Sequence, residues 1–353
     1  MKKTRITCEF CLSLDLAKRS SEASIAPVGA SEKDWKTFPT HFIAGPPESP
    51  EAIASLLAWV DAMKGPGAVC RRVVVEATAN ISKRFARALN VTKRLPLVNI
   101  VNPQRSKAYL IGIGVRDKSD KVDAACLALY GVRCDLEAPR EPNAAEEQIC
   151  ELSRLREALV GDRTAWKNRL GEACGQVVRK RIEGTVADID RAVKKVDDDI
   201  RQALKTDEAL ERQFKSLQKI TSIGFVTAAA ITGELGDLRD YTRGQIVSVA
   251  GIFPKIHESG ESVHKRPHLA RGGGSHLRRA LYMCVTSLFH SKSPLRQYLT
   301  KYIDAGKPKM YALCAVMRKL LLVARAVVKA GGEYRPEMIG QPQIAKQGET
   351  AMT

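Results

Sequence analysis

Four carboxylates stand where strands end or helices begin: Asp15, Glu76, Asp120 and Asp123. Asp15 closes an alternating apolar stretch, and Glu76 follows Val73-Val74-Val75. Asp120 and Asp123 are three apart in a helical pattern, so both lie on one face. Carboxylates at strand ends beside a helical pair suit a hard divalent cation. Mg²⁺ or Mn²⁺ takes carboxylate oxygens and keeps water or substrate phosphate in its other positions. Two such ions can activate a nucleophile and stabilise the leaving oxygen of a phosphodiester. Each acid alone has a plainer reading. An Asp after a strand is often a loop cap, and acids in a first helical turn are favoured by the dipole.

The second group lies in Glu258-Ser259-Gly260-Glu261-Ser262-Val263. A serine on a Gly-bearing loop in the most basic segment could attack phosphate, given a base or an ion to activate it. By composition alone, Ser259 and Ser262 are turn residues. His257, His264 and His268 invite a zinc reading, but Lys265-Arg266-Pro267 separates the last two and opposes a cation. Phosphate contact or solvent exposure suits these histidines better. Arg271-Gly272-Gly273-Gly274-Ser275, followed by Arg278-Arg279, can bring backbone and guanidinium groups close to a phosphate. Neither a G-x-x-x-x-G-K-[ST] loop nor a dinucleotide fingerprint occurs, so an ATP-driven motor is unsupported.

Charge locates the surface these groups would serve. The 353 residues carry a net charge of +18. Residues 251–330 hold 15 Lys/Arg against 3 Asp/Glu, or +12, whereas residues 141–220 hold 16 of each. Two thirds of the excess therefore sits in one late segment, which points to a polyanion such as nucleic acid. No run of 18 apolar residues exists, so no membrane-spanning helix is expected. Arg5, Glu9 and Asp15 break any apolar core behind Met1-Lys2-Lys3, which argues against secretion. Nine scattered cysteines are no disulfide framework and fit a reducing cytosol; a cytoplasmic protein is expected. Cys8 and Cys11 form a lone C-x-x-C on a strand, where residues three apart face opposite ways.

The positioning elements read as α/β, then helical. Residues 6–14 alternate as a strand, and short strands are expected near 24–28 and 37–43. Ser49-Pro50-Glu51 starts a helix running to about Lys64. Residues 73–75 and 95–101 form buried strands, and a helix carries Asp120 to Leu129. Ile182, Val186, Ile189, Val193, Val196, Ile200 and Ala203 step alternately by four and three. That seam predicts a coiled coil, antiparallel or between chains. The alternative is a long amphipathic helix packed on its own domain. Gly224 opens an Ala-rich helix, residues 251–274 read as a basic loop region, and helices follow near 275–289 and 310–328. The expected domains are 1–140, 141–219 and 220–335, with a loose tail from 336 to 353.

Several segments together resemble one family. Ser13-Leu14-Asp15-Leu16-Ala17-Lys18, Val75-Glu76-Ala77-Thr78, residues 98–103 and Lys118-Ser119-Asp120-Lys121-Val122-Asp123-Ala124 fall in the order of a DEDD motif. Ile223-Gly224, Ala250-Gly251, Glu258-Ser259-Gly260 and Leu277-Arg278-Arg279-Ala280-Leu281-Tyr282 follow. This resembles the DEDD transposases of the insertion-sequence 110 family, with its 1111, 116 and 902 relatives. The resemblance implies an N-terminal RuvC-like domain of the RNase H fold whose metal-binding acids are Asp15, Glu76, Asp120 and Asp123. It implies a mostly helical C-terminal transposase domain with Ser259 as nucleophile, forming a covalent phosphoserine link to DNA. It also implies a structured non-coding guide RNA, and homodimers joining into tetramers with acids and serine shared between subunits. Lys255, Lys265, Arg266, Arg271, Arg278 and Arg279 are then the nucleic-acid contacts, and cationic neighbours of Ser259 would stabilise a developing phosphorane. A DNA invertase and a metal-dependent nuclease or junction resolvase are the competing activities.

Overall fold

The computed structural model describes residues 5–78, 80–115, 119–136, 139–259, 263–269, 274–291 and 293–339. The chain forms two compact units, Met1–Glu141 and Pro142–Thr353.

The first unit is built on five strands: β1 (Phe10–Leu16), β2 (Ser20–Pro27), β3 (Thr40–Ala44), β4 (Cys70–Glu76) and β5 (Val98–Val101). Four helices join them: α1 (Pro50–Met63), α2 (Ile81–Val91), α3 (Pro103–Gly112) and α4 (Asp120–Arg133). The sheet order is β3-β2-β1-β4-β5. β1, β2 and β3 are antiparallel neighbours, while β1, β4 and β5 run parallel. A mixed sheet of this order between helical layers is consistent with a RuvC-like α/β domain.

β1 is the centre of the sheet, so both of its faces are covered. Phe10, Leu12, Leu14 and Leu16 pack with Ile53, Leu56, Phe85 and Leu89 from α1 and α2. Cys11 packs on the opposite face with Val74 and with Leu127 of α4. Ser13 belongs to that second face and donates from its hydroxyl to the Ala124 carbonyl at 2.6 Å. Gly131 lets α4 lie close: a Cβ there would meet Cys11 Sγ and come within 2.8 Å of Val74 Cγ2. Small residues Ala124, Ala125 and Ala128 complete the contact, all buried.

The helix starts follow the sequence signals. Ser49 accepts from the Ala52 N–H with Pro50 at the first position of α1, and Asn102 does the same for α3 ahead of Pro103. Ser119 caps α4 by accepting from the Val122 N–H. Strand bounds shift from expectation, most at the first two strands. The first begins at Phe10, because Ile6 makes only an isolated bridge to Lys64. The second begins at Ser20, because β1 turns straight back into it, with the Ala17 N–H on the Ser20 carbonyl.

The second unit is mainly helical: α5 (Ala144–Glu172), α6 (Gln176–Lys205), α7 (Glu208–Gln218), α8 (Phe225–Leu235) and α9 (Arg243–Ala250) come first. A two-stranded ribbon follows, β6 (Pro254–Ser259) and β7 (Val263–Leu269). Then come α10 (Ser275–Thr286), α11 (Pro294–Asp304) and α12 (Lys309–Lys329). The ribbon corrects the loop expected over 251–274. Paired backbone from Pro254 with Leu269 to Ser259 with Val263 satisfies N–H and C=O groups that a loop would leave to solvent.

α5 and α6 are an antiparallel hairpin. Arg156 pairs with Asp197 at 2.6 Å and Arg163 with Asp190 at 2.9 Å, so pairing runs in opposite directions along the two helices. The α6 seam is buried at Val193, Val196, Ile200 and Ala203, and half-buried at Val186 and Ile189. Near the tip, Val177 and Val178 are exposed. Val196, Ile200 and Ala203 share one core with Ala145 and Ile149 of α5 and with α12 residues such as Leu320 and Val327. The expected loose tail starts with an ordered turn, Pro336–Ile339. Ile339 is buried, and its carbonyl accepts from the Tyr298 hydroxyl at 2.6 Å.

Candidate active site

The sheet brings the four acids to one end of the first unit. β1 and β4 are parallel, so Asp15 and Glu76 both lie at carboxyl ends of neighbouring strands. Alternation sets their side chains on the face carrying Cys11, Ser13 and Val74, the face that α4 covers. Asp120 and Asp123 occupy the first turn of α4, held to β1 by the Ser13–Ala124 hydrogen bond one residue beyond Asp123.

Electrostatics report their convergence. Asp15 is pushed up to about 6, first by burial and then by the charges of Asp120, Asp123 and Glu76. The N–H of Leu16 offsets this only in part. Asp123 also helps, after burial, to drive the neighbouring Cys126 thiol up to about 12. Among the described residues, no three acid, His or Cys side chains are drawn tightly enough to hold an ion. Like charges in a half-buried site separate unless a cation draws them in.

Two residues that sequence reasoning missed belong to this neighbourhood. Ser106 of α3 is fully buried and donates to Glu76 Oε1 at 2.6 Å, which fixes that carboxylate. Its signal was the Asn102-Pro103 helix start, which sets the first turn of α3 just beyond β5, the strand paired with β4. Glu22 of β2 lies directly opposite Asp15 in the antiparallel ladder and is 4% exposed. Its Oε1 has no hydrogen-bond partner. Had the β1–β2 hairpin been recognised, its register would have exposed this pairing.

The donor set fits a divalent cation. It consists of hard carboxylate oxygens with excess negative charge and an orphaned carboxylate oxygen beside them. Asp15, Glu76, Asp120 and Asp123 are the residues that would hold such an ion.

The second unit presents the basic ribbon. Ser259 is the last residue of β6, in register with Val263 of β7. Lys255 pairs in register with His268, His257 with Lys265, and Glu258 with His264, so the expected cations Lys255, Lys265 and Arg266 lie on one two-stranded element. The side chains of these ribbon residues, Ser259 included, lie outside the described residues, as does Arg271. The metal reading of His257, His264 and His268 likewise lies outside them.

α10 begins where the ribbon segment ends, and its first turn is anchored. His276 bonds Ser153 of α5 through Nε2 at 2.8 Å and Glu157 through Nδ1. Arg279 also pairs with Glu157, and Arg278 is half-buried. One turn away, Arg154 grips Glu234 of α8 by two hydrogen bonds of 2.7 and 2.8 Å.

Carboxylates gathered at the end of a mixed sheet, on a strongly basic chain, are consistent with an enzyme of phosphodiester transfer. Comparison with known proteins gives the family. Residues 13–177 match a DEDD transposase family of the IS110 type, described simply as "Transposase". Residues 215–300 match the family described as "Transposase IS116/IS110/IS902 family". The chain is 29% identical over 266 residues to a pilin gene-inverting protein of Moraxella bovis, covering 73% of this chain and 80% of that one. It is 30% identical over 240 residues to the pilin gene-inverting protein of Moraxella lacunata, covering 66% and 72%. A probable family 20 transposase of Pseudomonas aeruginosa is 23% identical over 276 residues, covering 68% and 79%. The chain belongs to the IS110-type transposase family and is a DNA transposase/recombinase enzyme. Enzymes of the DEDD class generally depend on divalent metal. No helix among the described residues is long and apolar enough to cross a membrane.

Proposed function

We propose that this protein cuts and rejoins DNA through a covalent link to Ser259, with a divalent cation held by Asp15, Glu76, Asp120 and Asp123 in an RNase H-like first domain. The observation that carries the reading is the convergence of four carboxylates on one sheet end, where burial first, and the charges of Asp120, Asp123 and Glu76 after it, lift Asp15 to about 6. In the first step Ser259 Oγ loses its proton and bonds to phosphorus. The P–O bond to one deoxyribose breaks, and that oxygen leaves with a proton. Rejoining reverses the exchange, with a DNA hydroxyl displacing the serine. A bound Mg²⁺ or Mn²⁺ would supply charge neutralisation at the phosphoryl oxygens and acidify the attacking hydroxyl. Asp15 and Glu76 would hold the ion from the sheet and Asp120 and Asp123 from the helix, while Ser106 fixes the Glu76 carboxylate.

The basic ribbon and α10 track the DNA. A two-stranded ribbon has the width of a major groove, and Lys255, Lys265, Arg266, Arg271, Arg278 and Arg279 supply its phosphate contacts. Target choice rests with a structured RNA from the mobile element. The α5–α6 hairpin serves as a coiled coil in dimers that join into tetramers. The chain works in the cytoplasm.

DNA inversion is a second reading, favoured by the two pilin gene-inverting relatives. The test is covalent trapping. The chain is incubated with labelled element-end DNA, the adjacent non-coding RNA and Mg²⁺, then denatured. A protein–DNA adduct lost in Ser259→Ala is the expected result; cleavage without an adduct would move the assignment to a nuclease or junction resolvase. Mobile-element ends beside the gene separate transposition from inversion.

A further inference from the structure

Glu22, beside the acid site, is buried in a way the chemistry above leaves unexplained. It lies directly across the β1–β2 ladder from Asp15. Opposed residues of an antiparallel pair share a face with Cβ atoms roughly 4.5–5.5 Å apart. The flanking Ala23 belongs to the core on the α1–α2 side, and so does Ile25. Alternation therefore turns Glu22 to the α4 side, where Asp15, Glu76 and the α4 acids gather. The residue is 4% exposed, and its Oε1 has no hydrogen-bond partner. It makes no ion pair among the described residues.

A buried carboxylate with one oxygen lacking a donor, set opposite a second carboxylate in the ladder, is unfavourable on three counts: desolvation, an unmade hydrogen bond at Oε1 and like-charge repulsion. A structural role would bring a partner, as Ser106 does for Glu76. A divalent cation answers all three counts at once. It replaces lost hydration with a direct oxygen bond and turns repulsion between Glu22 and Asp15 into shared ligation.

We infer that Glu22 is a fifth carboxylate of the acid site, binding the divalent cation together with Asp15. The inference rests on the metal-site reading of the four acids. It enlarges that site by one strand, so that three adjacent strands, β2, β1 and β4, each contribute an acid. A ligand on β2 would also tie the β1–β2 hairpin beside the site to the ion.

The test is direct Mn²⁺ binding to the full chain, followed by the loss of the free-ion electron paramagnetic resonance signal. Wild type, Asp15→Asn, Glu22→Gln and Glu22→Asp are compared, with circular dichroism and thermal melts confirming folding. Glu22→Gln keeps the size and removes the charge; it should bind Mn²⁺ at least fivefold more weakly. In chelator its melting temperature should equal or exceed wild type, because a buried repulsive charge is gone. Glu22→Asp keeps the charge but withdraws it by one methylene, and should weaken binding at least threefold even if Glu22→Gln does not fold. Weakening by Asp15→Asn with wild-type affinity in the folded Glu22 variants would overturn this inference alone. No Mn²⁺ uptake by wild type, or none lost in Asp15→Asn, would overturn the metal-site reading and this inference with it.

Discussion

The two units solve opposite electrostatic problems. The first concentrates negative charge at the end of a sheet and half-buries it, so Asp15 rises to about 6. The second carries most of the positive excess, much of it in the segment that holds the ribbon and the last helices. A buried acid cluster demands rigid support: Ser106 on Glu76, Ser13 on the α4 backbone, Gly131 under α4. In the second unit the first turn of α10 is rooted on Glu157 and Ser153, beside the Arg154–Glu234 pair. Substitutions in the first unit should therefore act on chemistry with little change in DNA affinity. Those in the second should divide between Ser259 and affinity.

The largest effect expected is at the reacting groups. Ser259→Ala should abolish the protein–DNA adduct, and Asp15→Asn should reduce cleavage by roughly 10³-fold or more, the scale of losing a catalytic charge partner. Both should bind DNA as wild type does. Loss of binding in either would break the division between the units. If the two residues are contributed by different subunits, mixing the two inactive variants should restore part of the activity in a strand-transfer assay.

Next comes affinity. Replacing Lys255, Lys265 and Arg266 together by Ala should flatten the slope of log K against log salt by about 3, at roughly 0.9 per lost phosphate contact. Titrations at several salt concentrations measure this. An unchanged slope would remove the ribbon from the DNA surface.

Ser106→Ala should lower cleavage by roughly 10- to 100-fold. A hydrogen bond to a charged group is worth about 1.5–3 kcal/mol, and here it orients Glu76. Folding should survive, because α3 keeps its Asn102 cap. Wild-type turnover in Ser106→Ala would show that Glu76 holds its position unaided.

The smallest effect is on stability against pH. Asp15 has its folded value raised to about 6, above the unfolded range near 4. The folded chain then binds more protons than the unfolded one between those values, so stability falls as pH rises from about 4 to about 6. The contribution of Asp15 to the stability of metal-free protein should be smaller at pH 7 than at pH 5, seen as a wild-type pH dependence that Asp15→Asn removes. Added Mg²⁺ should raise the melting temperature more at pH 7 than at pH 5. Equal shifts at both would separate Asp15 from the ion.

Much of the first unit was legible because its signals are local. Ser49-Pro50, Asn102-Pro103 and Ser119 each mark a helix start through a cap that acts within three residues, and all three function as caps. The valine run before Glu76 marked a buried strand for the same reason. The basic ribbon was hidden because Gly, His and Arg disguise a strand whose pairing, not its propensity, holds it. The first turn of the tail was hidden because Ile339 is buried by a neighbour 41 positions away, Tyr298.

Residue type and order alone carried the candidate acids and the charge asymmetry, which are properties of composition and short spacing, and the ordered motifs carried the family and, through it, the candidate serine. Only the tertiary structure decided that Glu22 faces Asp15, that Ser106 holds Glu76 and that Ser13 ties α4 to the sheet. It also decided that α6 lays its seam against α5. Those facts depend on strand register and on helices docking across a sheet. Register is set by which faces can be buried together, a choice made by the whole core and written in no single segment.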